Sequence, residues 1–183
     1  MNNYEDLIKR YPYLFAKDEM EPIVLFGIEC GLGWYSILDQ AFRCITSRYL
    51  SALRILEEYK HMLSFKQKDN PTNANYDDLR VLQEIENRIK EEQEKLPVFE
   101  QIKSKFAELR IYGSNITPYV QGVLDMAEEM SRVTCEKCGE RGNVYSNGWI
   151  TVLCDEHAKE KHGEHYEKKM LTEDNVVVKL VRD

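Results

Sequence analysis

The sequence predicts an α+β protein: a small sheet, an inserted long antiparallel helical hairpin, and a C-terminal knuckle of treble-clef-like form. Three observations predict it. Two stretches of heptad-spaced apolar residues flank a polar break. Short β-branched runs lie on either side of that pair. Near the C-terminus, a Cys-x-x-Cys pair and a Cys-x-x-His pair bracket a hairpin signal. The organisation that follows is a body made of residues 1–33 and 97–133, a hairpin at 34–96, and a knuckle with its tail at 134–183.

Residues 4–22 mix aromatics with charge around Tyr11-Pro12-Tyr13-Leu14-Phe15 and read as a turn of helix followed by an aromatic-anchored loop. Ile23-Val24-Leu25-Phe26-Gly27-Ile28 is apolar and β-branched, bounded by Pro22 and Gly31, which predicts a buried strand. From Trp34 the spacing turns helical. Leu38, Phe42, Ile45, Tyr49, Ala52, Leu56, Tyr59 and Leu63 step by four and three, a heptad seam. The polar run at 66–75, with Pro71 and three asparagines, breaks it. A second helix is predicted over about Asp77 to Lys95, with Leu82, Ile85, Ile89 and Leu96 on one face and the acid-before-base pairs Glu84/Arg88, Glu86/Lys90 and Glu91/Lys95. Two such helices joined by a polar loop fold back on each other.

Pro97 stops the second helix, and residues 98–113 return to strand character. Thr117-Pro118 is an N-cap followed by proline at the first helical position, and Val120, Val123, Leu124, Ala127 and Met130 form one face of the helix it starts. That helix runs into Cys135-x-x-Cys138-Gly139. Fifteen residues separate it from Cys154-x-x-His157, and Asn147-Gly148 between them predicts a hairpin turn. A helix from Asp155 to Lys161 would carry His157 on its first turn. Residues 175–181 predict a last edge strand.

The four side chains Cys135, Cys138, Cys154 and His157 make a Cys₃His set, the donor chemistry of a tetrahedral zinc ion. The glycine after the second cysteine lets both sulfurs face one ion. Four protein ligands leave no open position, so one zinc in a structural role is expected, with His162 and His165 surplus. Five cysteines, three of them in a metal pattern, suit a reducing compartment. Cys30 and Cys44 stand in apolar segments and read as small buried hydrophobes.

The composition, 43% hydrophobic and 31% charged, is that of a globular chain. No run of about 18 apolar residues is present, which excludes a membrane-spanning helix. An N-terminus without a basic patch or apolar stretch predicts no signal peptide, and the expected compartment is the cytoplasm. A net charge of −7 argues against duplex nucleic acid as a partner.

Ile28-Glu29-Cys30-Gly31-Leu32-Gly33-Trp34-Tyr35 forms a glycine corner ahead of the first long helix. Its glycines permit a tight turn with Trp34 packed inward. The alternative is a small-ligand or nucleotide pocket formed by Glu29, Gly31, Gly33 and Trp34 with Lys103, Lys105 and Arg110, because amides at a helix N-terminus bind anions. Glu29 opposes phosphate there and would pair as an acid with Asp39 instead.

Three stretches taken together carry a resemblance: Phe26-Gly27-Ile28-Glu29-Cys30-Gly31-Leu32-Gly33-Trp34-Tyr35; residues 101–112, including Phe106-Ala107-Glu108; and Ala127-Glu128-Glu129-Met130-Ser131 leading through the knuckle to Leu153-Cys154-Asp155-Glu156-His157-Ala158. Their order and content resemble small uncharacterised proteins encoded by bacteriophages and prophages, over about half the chain and outside the helical hairpin. Where such proteins often carry glycines after the phenylalanine of the middle stretch, this chain has Ala107-Glu108. The resemblance implies no activity. It implies a phage accessory protein, in the host cytoplasm, that binds a host or defence protein. The expectation is therefore a zinc-stabilised, non-enzymatic binding protein. The hairpin is either self-satisfied or an interaction arm, with homodimerisation through it as the simplest use, and Leu50, Ile55 and Met62 off the seam would then stay exposed. The rivals are the small-ligand pocket and nucleic-acid binding through Lys137, Arg141, Lys159 and Lys161.

Overall fold

The computed structural model describes residues 3–69, 76–147, 149–162, 167–171 and 177–179. The chain divides into two compact units, one of residues 1–42 with 97–183 and one of residues 43–96.

The first unit is a mixed α+β body. Helix α1, Tyr4–Arg10, is capped by the Asn3 side chain, which accepts from the amides of Glu5 and Asp6. Helix α2, Pro22–Phe26, follows, and then strand β1, Ile28–Glu29. The expected strand over Ile23–Ile28 is thus mostly helix. Pro22 occupies the first helical turn, and Gly27 at φ 69° terminates it, the proline-in, glycine-out arrangement of a short helix. Ile23 is buried, but Val24, Leu25 and Phe26 face solvent.

Helix α3, Tyr35–Asp69, begins in this unit. Strands β2, Val98–Lys105, and β3, Glu108–Ser114, pair antiparallel, and β1 runs parallel to β2, giving the order β1-β2-β3. Lys105 pairs with Glu108, so the connection is the two-residue turn Phe106-Ala107, with φ of 55° and 64°. Helix α5, Pro118–Ser131, packs on β3 and is capped by Thr117, whose Oγ1 accepts from the Val120 amide. The core stacks Phe42 on Phe99, with Phe15 and Tyr11 edge-on to Phe42, and Trp34, Leu38, Ile102 and Leu109 are fully buried. Asp39 accepts from Arg10 at 2.8 Å and from the Tyr11 hydroxyl at 3.0 Å, which ties α1 to α3. Asp39 is therefore a tether of α1, not an acid paired with Glu29.

The C-terminal part of the same unit carries β4, Asn143–Asn147, and β5, Trp149–Leu153, in an antiparallel hairpin, then helix α6, Asp155–His162. The expected turn residue Gly148 lies outside the described residues. Strands β6, Glu167–Leu171, and β7, Val177–Lys179, complete a second sheet in the order β5-β4-β6-β7. The final strand of the sequence reading is thus present at the sheet edge, though residues 175, 176, 180 and 181 lie outside the described residues. Strand β6 was not expected, because Glu167-Lys168-Lys169 shows no apolar alternation.

The second unit holds the remainder of α3 and helix α4, Tyr76–Glu94. Asp78, early in α4, accepts from Tyr59 at 3.0 Å and from Lys66 at 3.2 Å, late in α3. Of the polar break expected at 66–75, residues 66–69 continue α3, and residues 70–75 lie outside the described residues. Burial declines along the α3 seam. Leu38, Phe42 and Ala52 are fully buried, Ile45 nearly so, and Tyr49, Leu56, Tyr59 and Leu63 only half. No residue of α4 is fully buried. Cys44 lies off the seam and is exposed, contrary to its expected burial.

Candidate metal centre

The chain first reverses at the end of α5. Thr134 bridges to Arg141, the Cys135 amide donates to the Glu140 carbonyl at 2.7 Å, and the Gly139 amide donates to the Cys135 carbonyl at 2.9 Å. Gly139 sits at φ 84°, where a side chain would be strained. This tight loop brings Cys135 and Cys138 onto one side. The other two ligands come from the start of α6. Cys154 immediately precedes it, its carbonyl accepting from the Ala158 amide at 2.9 Å, and His157 stands on its first turn. Cys135, Tyr145, Leu153 and Ala158 pack into a small core of their own, and the Tyr145 hydroxyl donates to Asp155.

Ligand atoms of Cys135, Cys138, Cys154 and His157 all lie within 4.8 Å of one another. The Cys138 and Cys154 sulfurs are 3.9 Å apart, and the His157 Nδ1 stands 3.1 Å from the Cys154 sulfur and 3.5 Å from that of Cys135. A tetrahedral ion with metal–sulfur bonds of about 2.3 Å and a metal–nitrogen bond of about 2.0 Å requires S···S edges of about 3.8 Å and S···N edges of about 3.5 Å. The four residues fit a single metal site. Burial raises the Cys135 thiol, but backbone hydrogen bonds from Cys154, Cys138 and Lys137 outweigh it and bring it down to about 7. Desolvation and the neighbouring Cys135 and Cys154 sulfurs push Cys138 up to about 11. A cation between these groups removes that mutual opposition, since it binds them as thiolates.

The glycine corner meets this centre directly. Glu136, between the first two ligands, accepts from the Gly31 amide at 3.0 Å through Oε1 and from the Ser104 hydroxyl at 3.0 Å through Oε2. Its carbonyl accepts from the Gly33 amide at 2.9 Å, and its own amide donates to the Val152 carbonyl at 2.9 Å. The Trp34 indole donates to the Thr134 carbonyl at 2.8 Å. A Cβ on Gly31 would stand 2.1 Å from the Glu136 carbonyl oxygen, and one on Gly33 2.1 Å from that of Cys135. The glycines therefore admit the knuckle backbone, and both amides are spent on Glu136.

The other residues considered for a ligand pocket gather elsewhere. Cross-strand register aligns Glu29 with Lys103 and Lys103 with Arg110 in one row of the first sheet. Glu29 is exposed and accepts from Gln101 at 3.4 Å. Lys103 donates to Gln101 at 2.6 Å and lies over the Tyr112 ring. Lys105 lies over Phe106. Arg110 is paired with the buried Glu108 and with Glu128, and Glu108 also pairs with Arg132. A cleft of about 420 Å³ does open beside the exposed Cys138, lined by Leu32, Ser36, Gln40, Met130, Thr134 and Glu140 among others. Of the seven residues, Gly33 alone lines it. On the knuckle, Lys137 is paired with Glu160 at 2.7 Å. His162 ends α6, and His165 lies outside the described residues.

Reasoning from sequence located the four ligands and missed Glu136, Thr134 and Ser104. The available signal was the pair Gly31 and Gly33, two positions separated by Leu32 that both need backbone approach. Cys30, next to them, has its thiol raised to about 12 by burial, partly offset by the Tyr4 hydroxyl at 3.2 Å.

Among the described residues no helix is long and apolar enough to cross a membrane. No protein-family model matches the chain, and neither a curated protein nor a solved structure does so.

Proposed function

We propose that the protein is a zinc-stabilised, non-enzymatic binding protein, and, on the resemblance of its three motifs, a phage accessory protein that engages a host or defence protein. Zinc is the ion that three thiolates and an imidazole at tetrahedral spacing favour. The succession of Cys-x-x-Cys loop, β4–β5 hairpin and α6 supports a treble clef. Four protein ligands fill a tetrahedral shell, which supports a structural ion over a catalytic one.

The observation that carries the binding role is the exposure of large apolar side chains in short segments. Met20, Val24, Leu25 and Phe26 in the body are 46–80% exposed, and Met62, Phe65, Tyr76 and Leu79 in the helical pair 41–82%. Scattered single apolar residues are ordinary on a surface, but adjacent ones signal a contact. Leu50 and Ile55 are each 38% exposed, which supports the interaction arm more than a self-satisfied hairpin. Elemental analysis of the purified protein is expected to give one zinc per chain. Capture from bacterial host lysate, read by native mass spectrometry, is expected to give a stoichiometric protein complex. A metal-free protein with an unchanged melt would remove the zinc reading, and a free monomer recovered from every host lysate would remove the binding role.

The small-ligand reading keeps one favourable observation, the cleft beside Cys138. A small molecule copurifying in the native mass spectrum, and displaced by Gln40→Trp, would favour it over a protein partner.

A further inference from the structure

The segment from Lys17 to Phe26 combines features that a buried strand would not. Ile23 is its inward anchor at 4% exposure, while Val24, Leu25 and Phe26 follow one another outward at 46, 56 and 67%. Met20, four residues before Val24, is 80% exposed. Gly27, with φ 69°, ends the helix directly behind Phe26, so that the three exposed side chains stand apart from the buried Ile28 of β1 that follows. Asp18, Glu19 and Glu21 interleave with Met20, against the single cation Lys17. The patch is thus apolar at its centre and acidic at its edge.

Charge narrows what fits there. Residues 43–96 contain ten Lys or Arg and ten Asp or Glu, so of the chain's 25 cations and 32 acids the other unit holds 15 and 22, and it carries the whole net charge of −7. A second copy brought to this patch would set one −7 unit against another. An anionic lipid surface would meet the same acids. A cationic segment with an apolar stripe matches both the centre and the edge of the patch, because desolvated apolar area supplies affinity and opposite charge supplies encounter rate and discrimination.

We propose that Met20, Val24, Leu25 and Phe26, edged by Asp18, Glu19 and Glu21, form a docking surface for a basic amphipathic segment of another protein. The inference rests on the binding role proposed above and specifies the face and partner chemistry for it. Aromatic and leucine side chains at the centre supply most of the contact energy, and the acids set the sign of the partner's charge.

The test uses the full-length metal-loaded chain and two synthetic probes, a 15-residue Lys/Leu amphipathic helix and its Glu/Leu counterpart. Calorimetry is expected to show binding of the cationic peptide only. The double variant Leu25→Ser with Phe26→Ser is expected to weaken it by about tenfold or more, and the triple variant Asp18→Lys, Glu19→Lys, Glu21→Lys to abolish the charge preference. These are surface changes, and an unaltered melt confirms that the fold is kept. Met126→Ser, at an exposed position of α5 away from this segment, is expected to leave binding unchanged. Equal binding to parent and double variant, preference for the Glu/Leu peptide, adsorption to phosphatidylserine vesicles through Phe26, or self-association lost in the double variant would each overturn the inference. If lysate capture yields a partner that the double variant still holds, this surface is wrong while the binding role stands.

Discussion

Around the metal knuckle, one residue holds three separate pieces of chain. Glu136 receives the amides of Gly31 and Gly33 and the hydroxyl of Ser104, and donates to Val152, all at 2.9–3.0 Å. Along residues 43–96 the two helices rely on a seam of half-buried Leu56, Leu63, Leu82, Ile85 and Ile89 with ion pairs at the surface, such as Arg54–Glu58 at 3.9 Å and Arg80–Glu84 at 3.7 Å. Exposed pairs of that kind contribute about 0–1 kcal/mol each. The first region is fixed by geometry that tolerates no added atom, the second by repetition that tolerates many. The knuckle, with a small core of its own, falls within the same compact unit as residues 1–42 and 97–133.

That contrast orders the expected effects of mutation. Gly33→Ala places a methyl 2.1 Å from the Cys135 carbonyl oxygen and 2.6 Å from the Gly139 nitrogen, both backbone atoms that cannot rotate away. A loss of about 3 kcal/mol is expected in urea melts, and a variant as stable as the parent would mean that the corner and knuckle are not in contact. Glu136→Ala leaves the Gly31 amide and the Ser104 hydroxyl without this acceptor, with an expected cost of about 2 kcal/mol.

The helical pair sharpens the comparison. Ile102→Ala, at a fully buried site in β2, is expected to cost about 3 kcal/mol, whereas Ile85→Ala, half-buried in α4, is expected to cost about 1 kcal/mol. Equal losses would show the seam to be packed as tightly as the body. The smallest effect has the opposite sign. Phe106 and Ala107 both occupy φ > 0 in a two-residue turn that asparagine and glycine fill without strain, so Phe106→Asn with Ala107→Gly is expected to raise stability by about 1 kcal/mol. A drop on thermal denaturation would mean that the Ala107 methyl, 3% exposed, is worth more than the strain.

Periodicity and spacing made some of this legible. The heptad steps from Leu38 to Leu63 gave α3, Thr117-Pro118 gave the start of α5, and Cys135, Cys138, Cys154 and His157 declared their chemistry by residue type. The sheet row of Glu29, Lys103 and Arg110 and the joint at Glu136 were not legible, because the first needs Glu29 to meet Lys103, 74 residues on, and the second needs Gly31 to meet Glu136, 105 residues on, and no local pattern encodes either meeting. Ile23–Ile28 misled for a different reason. A four-residue apolar run has the same composition whether it is strand or helix, and Pro22 and Gly27, at its ends, bound either one. Cys44 shows the limit of composition: it sits among apolar neighbours in sequence yet on the open side of the helix, between the buried Phe42 and Ile45.

The central claim is that the metal site and the glycine corner form one cooperative joint. Amide hydrogen exchange at Gly31 and Gly33, followed before and after removal of the metal with a chelator, tests it most directly. Loss of the ion frees the loop that carries Glu136, so both amides are expected to exchange about a hundredfold faster, together with residues 135–142, while amides of residues 80–90 in α4 keep their rates. Unchanged protection at Gly31 and Gly33 in the metal-free protein would contradict the account and make the knuckle an independent appendage.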